Sequence, residues 1–386
     1  MIYNTNIDDI KKEMDILKDK LILTKNTTDY EFCFSNLCLL NELYNGITNT
    51  NYFDLRISKN YIHKYINAYN FFIKNNNKFL ENFIKNKEFI SITSETISNI
   101  IDENLEYNNI YDNRIIKEND ALEIIYEYLN KYHNDEIKYF NHLKDNKRIF
   151  YINEIKDDYE AESTLGECIL SYENDPLIAV RDNKFNILNI STLIHEFGHA
   201  VEARKMLENY SKNQVQKYEK SSFYTEVNSL KYQKEFLDFC IDNNIYKTQT
   251  IIALELYYST VLIHSDNTFS FTAIKDGLLQ DYKYLLYEDK IINQNLTVPY
   301  EEGDDIIEYS NMDLIDSVRY FIGGLIATHF SILIKEDKEE AKKLYRLFNS
   351  IKLDEFSPEV LSMLNINSNN LEENLNKDIN KMKIRH

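Results

Sequence analysis

Three side chains within five residues, His195, Glu196 and His199, have the types and spacing of a metal-assisted hydrolytic site. They lie in Ser191-Thr-Leu-Ile-His-Glu-Phe-Gly-His-Ala-Val-Glu-Ala203. On a helix, residues four apart stand one turn above each other, so His195 and His199 can offer two imidazole nitrogens to a single ion. Zn²⁺ suits that pair, because it takes His nitrogen and carboxylate oxygen in tetrahedral array. Glu196 lies about 100° round the helix from His195. That position suits it to take the proton of a water attacking a carbonyl rather than to bind the ion. Leu193, Phe197, Ala200 and Val201 follow the i, i+4, i+7, i+8 spacing of a buried stripe, which leaves the histidine-bearing flank for a cleft. An ordinary amphipathic helix is the competing account, and with 8 His in the chain a chance His-Glu-x-x-His is the weaker one.

Two histidines leave a catalytic zinc one protein ligand short. Glu202 and Glu208 are on or just beyond the same helix, but a carboxylate seven residues from His195 points along the helix axis. Glu226, near the start of the helix expected from Phe223 to Asp242, is the better candidate, and Glu219 the runner-up. An acid in a first turn is also simply favourable with the helix dipole.

Around these residues the pattern is mostly helical. Helices are expected over Ile7 to Thr24, Tyr30 to Tyr44, Asp54 to about Lys85, Ser94 to Glu106 and Glu118 to Leu143. A β-rich run, Arg148 to Ile155, then changes the texture, followed by Gly166 to Tyr172 and, after a turn at Glu173 to Pro176, by Leu177 to Arg181. Such strands serve either as a small structural sheet or as an edge along which an extended peptide adds by main-chain hydrogen bonds. Helices resume over Phe223 to Asp242, Gln249 to Leu262, Phe271 to Tyr287, Met312 to Lys335 and Glu339 to Phe348, with another opened by Ser357 and Pro358. From Ser368 onward the polar tail is expected to be loosely held. The fold class is therefore mainly α with a small β-sheet beside the metal helix. The chain is divided into a helical region, 1–148, forming one wall of the cleft, and a catalytic region, 149–386.

Composition narrows the partners. Asp plus Glu outnumber Lys plus Arg by 63 to 44, which argues against nucleic acid. No run of eighteen apolar residues and no basic-apolar leader is visible, so a cytoplasmic enzyme with no membrane role is the default. Cys33, Cys38, Cys168 and Cys240 are too scattered for a zinc knuckle or redox pair. His63, His133 and His142 are read as surface or packed residues. Only 7 glycines occur, roughly a quarter of the usual number, so Gly166, Gly198, Gly323 and Gly324 should stand where the backbone needs them.

His195-Glu-Phe-Gly-His-Ala, Gly166 with Pro176-Leu-Ile-Ala-Val, and Phe223-Tyr-Thr-Glu-Val-Asn-Ser, whose Glu226 follows His199 by 27 residues, together resemble the thimet oligopeptidase and oligoendopeptidase F family of zinc peptidases. The resemblance runs from about residue 149 to 265, is patchy to about 350, and does not reach the N-terminal part. It implies a zincin-like helical metallopeptidase with one Zn²⁺ per chain, His195, His199 and Glu226 as ligands, Glu196 as general base and a peptide substrate. It also implies that Leu177, Ile178, Ala179, Val180 and Arg181 bind substrate main chain. One departure stands out. The family carries a His and Tyr residues as oxyanion donors in a late segment, and the matching stretch here, Tyr309 to Gly324, has no histidine. Tyr309, Arg319 and Tyr320 are the candidate donors, with Tyr309 and Tyr320 preferred; His264 and His329 could reach the site from other helices but are read as satisfied packing residues. The missing histidine also allows a peptide-binding scaffold with little turnover. Oligomeric state is not legible.

Overall fold

The computed structural model describes residues 7–23, scattered positions between 33 and 48, and 87–104, 114–152, 166–170, 175–181, 185–211, 214–215, 224–273, 295–299, 306–350, 362–364, 366 and 368–383. The helices expected over Asp54 to Lys85 and at Ser357, most of those over Tyr30 to Tyr44 and Phe271 to Tyr287, and Glu219 lie outside the described residues. Two compact units account for the chain. The first comprises Met1–Phe72, Asn109–Lys217 and Glu235–Ala253, the second Ile73–Asn108, Tyr218–Lys234 and Leu254–His386. This is a division by contact; 1–148 and 149–386 divide the chain by where the motif residues lie.

Among the described residues the helices are α1 (Ile7–Leu23), α2 (Lys87–Asn104), α3 (Glu118–Tyr132), α4 (Ile137–Asp145), α5 (Ile187–Asn209), α6 (Val227–Asp242), α7 (Lys247–Ala273), α8 (Asn311–Glu336), α9 (Lys338–Ser350) and α10 (Ser368–Lys383). The strands are β1 (Ile149–Ile152), β2 (Gly166–Ile169), β3 (Leu177–Arg181), β4 (Asn295–Pro299) and β5 (Ile306–Ser310). The protein is thus mainly helical with a small sheet beside the motif helix, α5, as its sequence pattern implies.

In the first unit the sheet runs in the order β1-β3-β2, with β1 parallel and β2 antiparallel to β3. Alternate residues of a strand face opposite sides. Leu177 and Ala179 of β3, with Phe150 and Ile169, therefore join Ile10, Met14, Leu17 and Leu21 of α1 in one core. Ile178 and Val180 lie on the other side, with Gly166 of β2, which packs on α5. Arg148 pins this layer by donating to the Glu13 carboxylate at 2.9 Å and to the Asp175 carbonyl.

This arrangement corrects the reading of Leu177, Ile178, Ala179, Val180 and Arg181 as an edge that receives substrate. They form the central strand, with main-chain pairing on both sides and the first four side chains buried. Their continuous apolar run reflects burial on both faces. The expected helix from Glu118 to Leu143 is also divided. It breaks at His133 (φ −135°, ψ 46°) and resumes after one 3₁₀ turn, Asn134–Glu136, where short polar side chains favour turns over helix. His133 Nε2 meets the Glu235 carboxylate at 2.7 Å there.

In the second unit, α8 is apolar along most of its length. Asp316–Glu336 is long and apolar enough to span a membrane by composition, and 78% of its most apolar 18-residue window is buried inside the protein, as in a core helix. The loosely held tail is a second correction. Residues from Ser368 form α10, which buries Leu375 and Ile379. Its Asp378 lies 2.6 Å from the fully buried Lys234 ammonium and accepts a hydrogen bond from Tyr258. Burial raises the Asp378 pKa, but Lys234 and the hydrogen bonds outweigh that and hold it at about 2.

Candidate metal centre

Asn186 caps α5 by accepting from the Asn189 N–H at 2.9 Å, and Gln249 accepts from the Ile187 N–H at 3.1 Å. The helix is buried on almost every side as far as Ala203, so the histidine flank is more enclosed than an amphipathic stripe implies. His195 is 7% exposed, Glu196 5%, and His199 half-buried. The two imidazoles stand one turn apart with ring centroids at 5.1 Å. Gly166 of β2 sets the position of Glu196. A Cβ there would fall 2.6 Å from the Thr192 methyl group, 3.0 Å from Glu196 Cγ and 3.1 Å from its Oε1. Glycine is the residue that lets β2 come this close to the carboxylate.

Glu226 occupies a turn immediately before α6, where its carbonyl accepts the Leu230 N–H at 3.1 Å, the position of an N-cap. The Ser229 hydroxyl is 2.8 Å from Glu226 Oε2 and 3.0 Å from its carbonyl oxygen, so it can donate to either. Gly323 of α8 lies against the same residue. A Cβ at Gly323 would approach Glu226 Cβ to 2.9 Å, and one at Gly324 would approach Val261 Cγ2 to 2.6 Å. The glycine pair thus lets α8 pack close to Glu226 and to α7.

His195, His199 and Glu226 each offer a ligand atom, and these atoms all lie within 4.8 Å of one another. Two imidazole nitrogens and one carboxylate oxygen at such separations fit a tetrahedral zinc site with one open position. Glu202 is buried on α5 and Glu208 exposed near its end, and neither belongs to this group. Tyr309 is on β5, paired with Leu296. Half-buried Tyr320 of α8 stacks on His264 of α7, with ring centroids 4.8 Å apart and planes inclined by 16°. Arg319 forms an ion pair with Asp316 of its own helix at 3.6 Å. His264 Nδ1 is 3.2 Å from the Ser317 hydroxyl; burial lowers the His264 pKa, with the Glu226 charge opposing. His329 is buried in α8 beside Phe330. Sequence reasoning missed the His264–Tyr320 stack, the Ser229 bond and the purpose of Gly166. The scarcity of glycine was the signal for the last.

No protein-family model and no curated protein matches the chain. Among solved structures it is similar to one provisionally named oligoendopeptidase F, from Bacillus anthracis str. Ames, at 11% identity over 99% of this chain and 75% of that one, with a TM-score of 0.43.

Proposed function

We propose that the protein is a zinc-dependent endopeptidase acting on oligopeptides or on one partner peptide. The observation that carries this reading is the convergence of the His195, His199 and Glu226 donor atoms within 4.8 Å, beside the Glu196 carboxylate that α5 holds against Gly166. Zinc, when bound, supplies Lewis acidity that polarises the scissile carbonyl and makes water a nucleophile near neutral pH. Glu196 takes the proton of the attacking water and returns it to the departing amine. Its low exposure keeps bulk water from competing for that proton. Ser229 steadies the Glu226 carboxylate, as outer partners of ligating groups do. Tyr320 is the proposed hydrogen-bond donor to the oxyanion that develops on the carbonyl. Because β3 is internal to the sheet, the expected main-chain contact with substrate moves to the edge strand β2, whose Gly166 adjoins Glu196.

Mass-spectrometric digestion of a diverse peptide library by the purified protein, with and without chelator and with zinc content determined, tests the reading. Metal-dependent cuts are expected. Zinc binding with no cut peptide over the whole library would favour a peptide-binding scaffold instead.

A further inference from the structure

The segment expected to supply an oxyanion-binding histidine lacks one, yet a histidine meets that segment from another helix. His264 projects from α7 onto the face of Tyr320 in near-parallel stacking, and Ser317, one turn before Tyr320 on α8, adjoins its Nδ1 at 3.2 Å. Ser317, Tyr320 and Gly323 follow one another at intervals of three, so they share a face of α8. Gly323 touches Glu226 on that face. The close approach of α7 that brings His264 there depends on Gly324, which lies against Val261, one turn before His264 on α7.

We infer that His264 is a positioning residue: it holds the Tyr320 ring in one orientation, one turn along α8 from the Gly323 that adjoins Glu226, so that the phenol is ready to donate to the substrate oxyanion. This rests on the peptidase reading above. A free tyrosine rotor pays an ordering cost at each turnover, and a donor misplaced by about 1 Å can cost on the order of 10²-fold in rate. A flat ring stacked on it removes that freedom without contacting substrate.

The test uses the full chain loaded with zinc and a cleaved reporter peptide. His264→Ala should lower kcat by about tenfold or more with KM and zinc content unchanged, and His264→Phe, which keeps the ring, should restore most of kcat. In a Tyr320→Phe background, His264→Ala should have little further effect, since the residue it positions has lost its hydroxyl. In the metal-free protein, the His264 ring protons should show an upfield ring-current shift that vanishes in Tyr320→Leu. Unchanged kcat in His264→Ala, or equal loss in the Ala and Phe variants, would overturn the inference. Failure of the wild-type protein to cut any peptide would overturn the underlying peptidase reading instead, and the resonance shift would still report whether the stack exists.

Discussion

α5 and the surroundings of Glu226 assemble their chemistry in opposite ways. α5 carries His195, Glu196 and His199 in one turn and a fraction, with their relative positions fixed by helix geometry alone. Glu226 is held by Ser229 from its own helix and by Gly323 from α8, almost a hundred residues away in sequence, with the His264–Tyr320 stack one turn along the same face of α8. The first arrangement is secured by backbone hydrogen bonds and deep burial. The second is secured by close packing of helices that two glycines permit. It follows that single substitutions on α5 should remove function while leaving the fold, whereas substitutions around Glu226 should disturb packing and chemistry together.

The largest effect is expected at Glu196. Glu196→Gln keeps the shape of the side chain but cannot accept the proton, so turnover should fall by about 10²–10⁴-fold with zinc retained. Peptide cleavage and metal analysis on the same sample check this. Normal cleavage would remove Glu196 from its role as base and leave the comparison without its α5 half.

Next is the ion pair beneath Glu226's helix. Asp378→Ala removes the carboxylate that lies 2.6 Å from the buried Lys234 ammonium, which should destabilise by about 3–5 kcal/mol, measurable by denaturant unfolding. Loss of less than about 1 kcal/mol would mean that α10 does not brace this region. The same pair gives a pH dependence. The Asp378 pKa is lowered on folding from its ordinary 3.8 to about 2. Its contribution is therefore complete above the unfolded-state value and is lost as pH falls from about 4 to 2. Acid unfolding of Asp378→Asn should lack that component.

The glycines sharpen the contrast at smaller magnitude. Gly166→Ala and Gly323→Ala each force a contact at or below 3.0 Å and should cost about 1–3 kcal/mol. Gly166→Ala should reduce kcat through Glu196 at unchanged zinc affinity. Gly323→Ala should weaken zinc binding, because the atoms it displaces belong to Glu226. Equal effects of both on zinc affinity would erase the distinction.

How far the sequence revealed this follows from the same contrast. The α5 motif was readable because its spacing is local and periodic, and the bounds of β3 were readable because a short apolar run lay between turn signals. The place of β3 inside the sheet is less legible, because a structural sheet and a receiving edge suit the strand pattern alike, although Leu177-Ile-Ala-Val180 is apolar at every position and so suits burial on both faces. The α10 helix was also legible in principle, since Leu371, Leu375 and Ile379 recur every four residues. Its polar composition hid them, and the buried partner of Lys234 is not deducible from either residue alone. The stack of His264 on Tyr320 carries no spacing signal, because the two residues meet through packing of separate helices. The sequence names His264 and His329 as histidines that other helices could bring, but it does not say which of them meets Tyr320.

Zinc titration of the metal-free protein, run beside His199→Ala and Glu226→Ala, tests the central claim most directly. One tightly bound zinc per chain is expected in the wild type, with affinity reduced at least about tenfold in each variant. Undiminished zinc binding in both variants would contradict a site built from His195, His199 and Glu226.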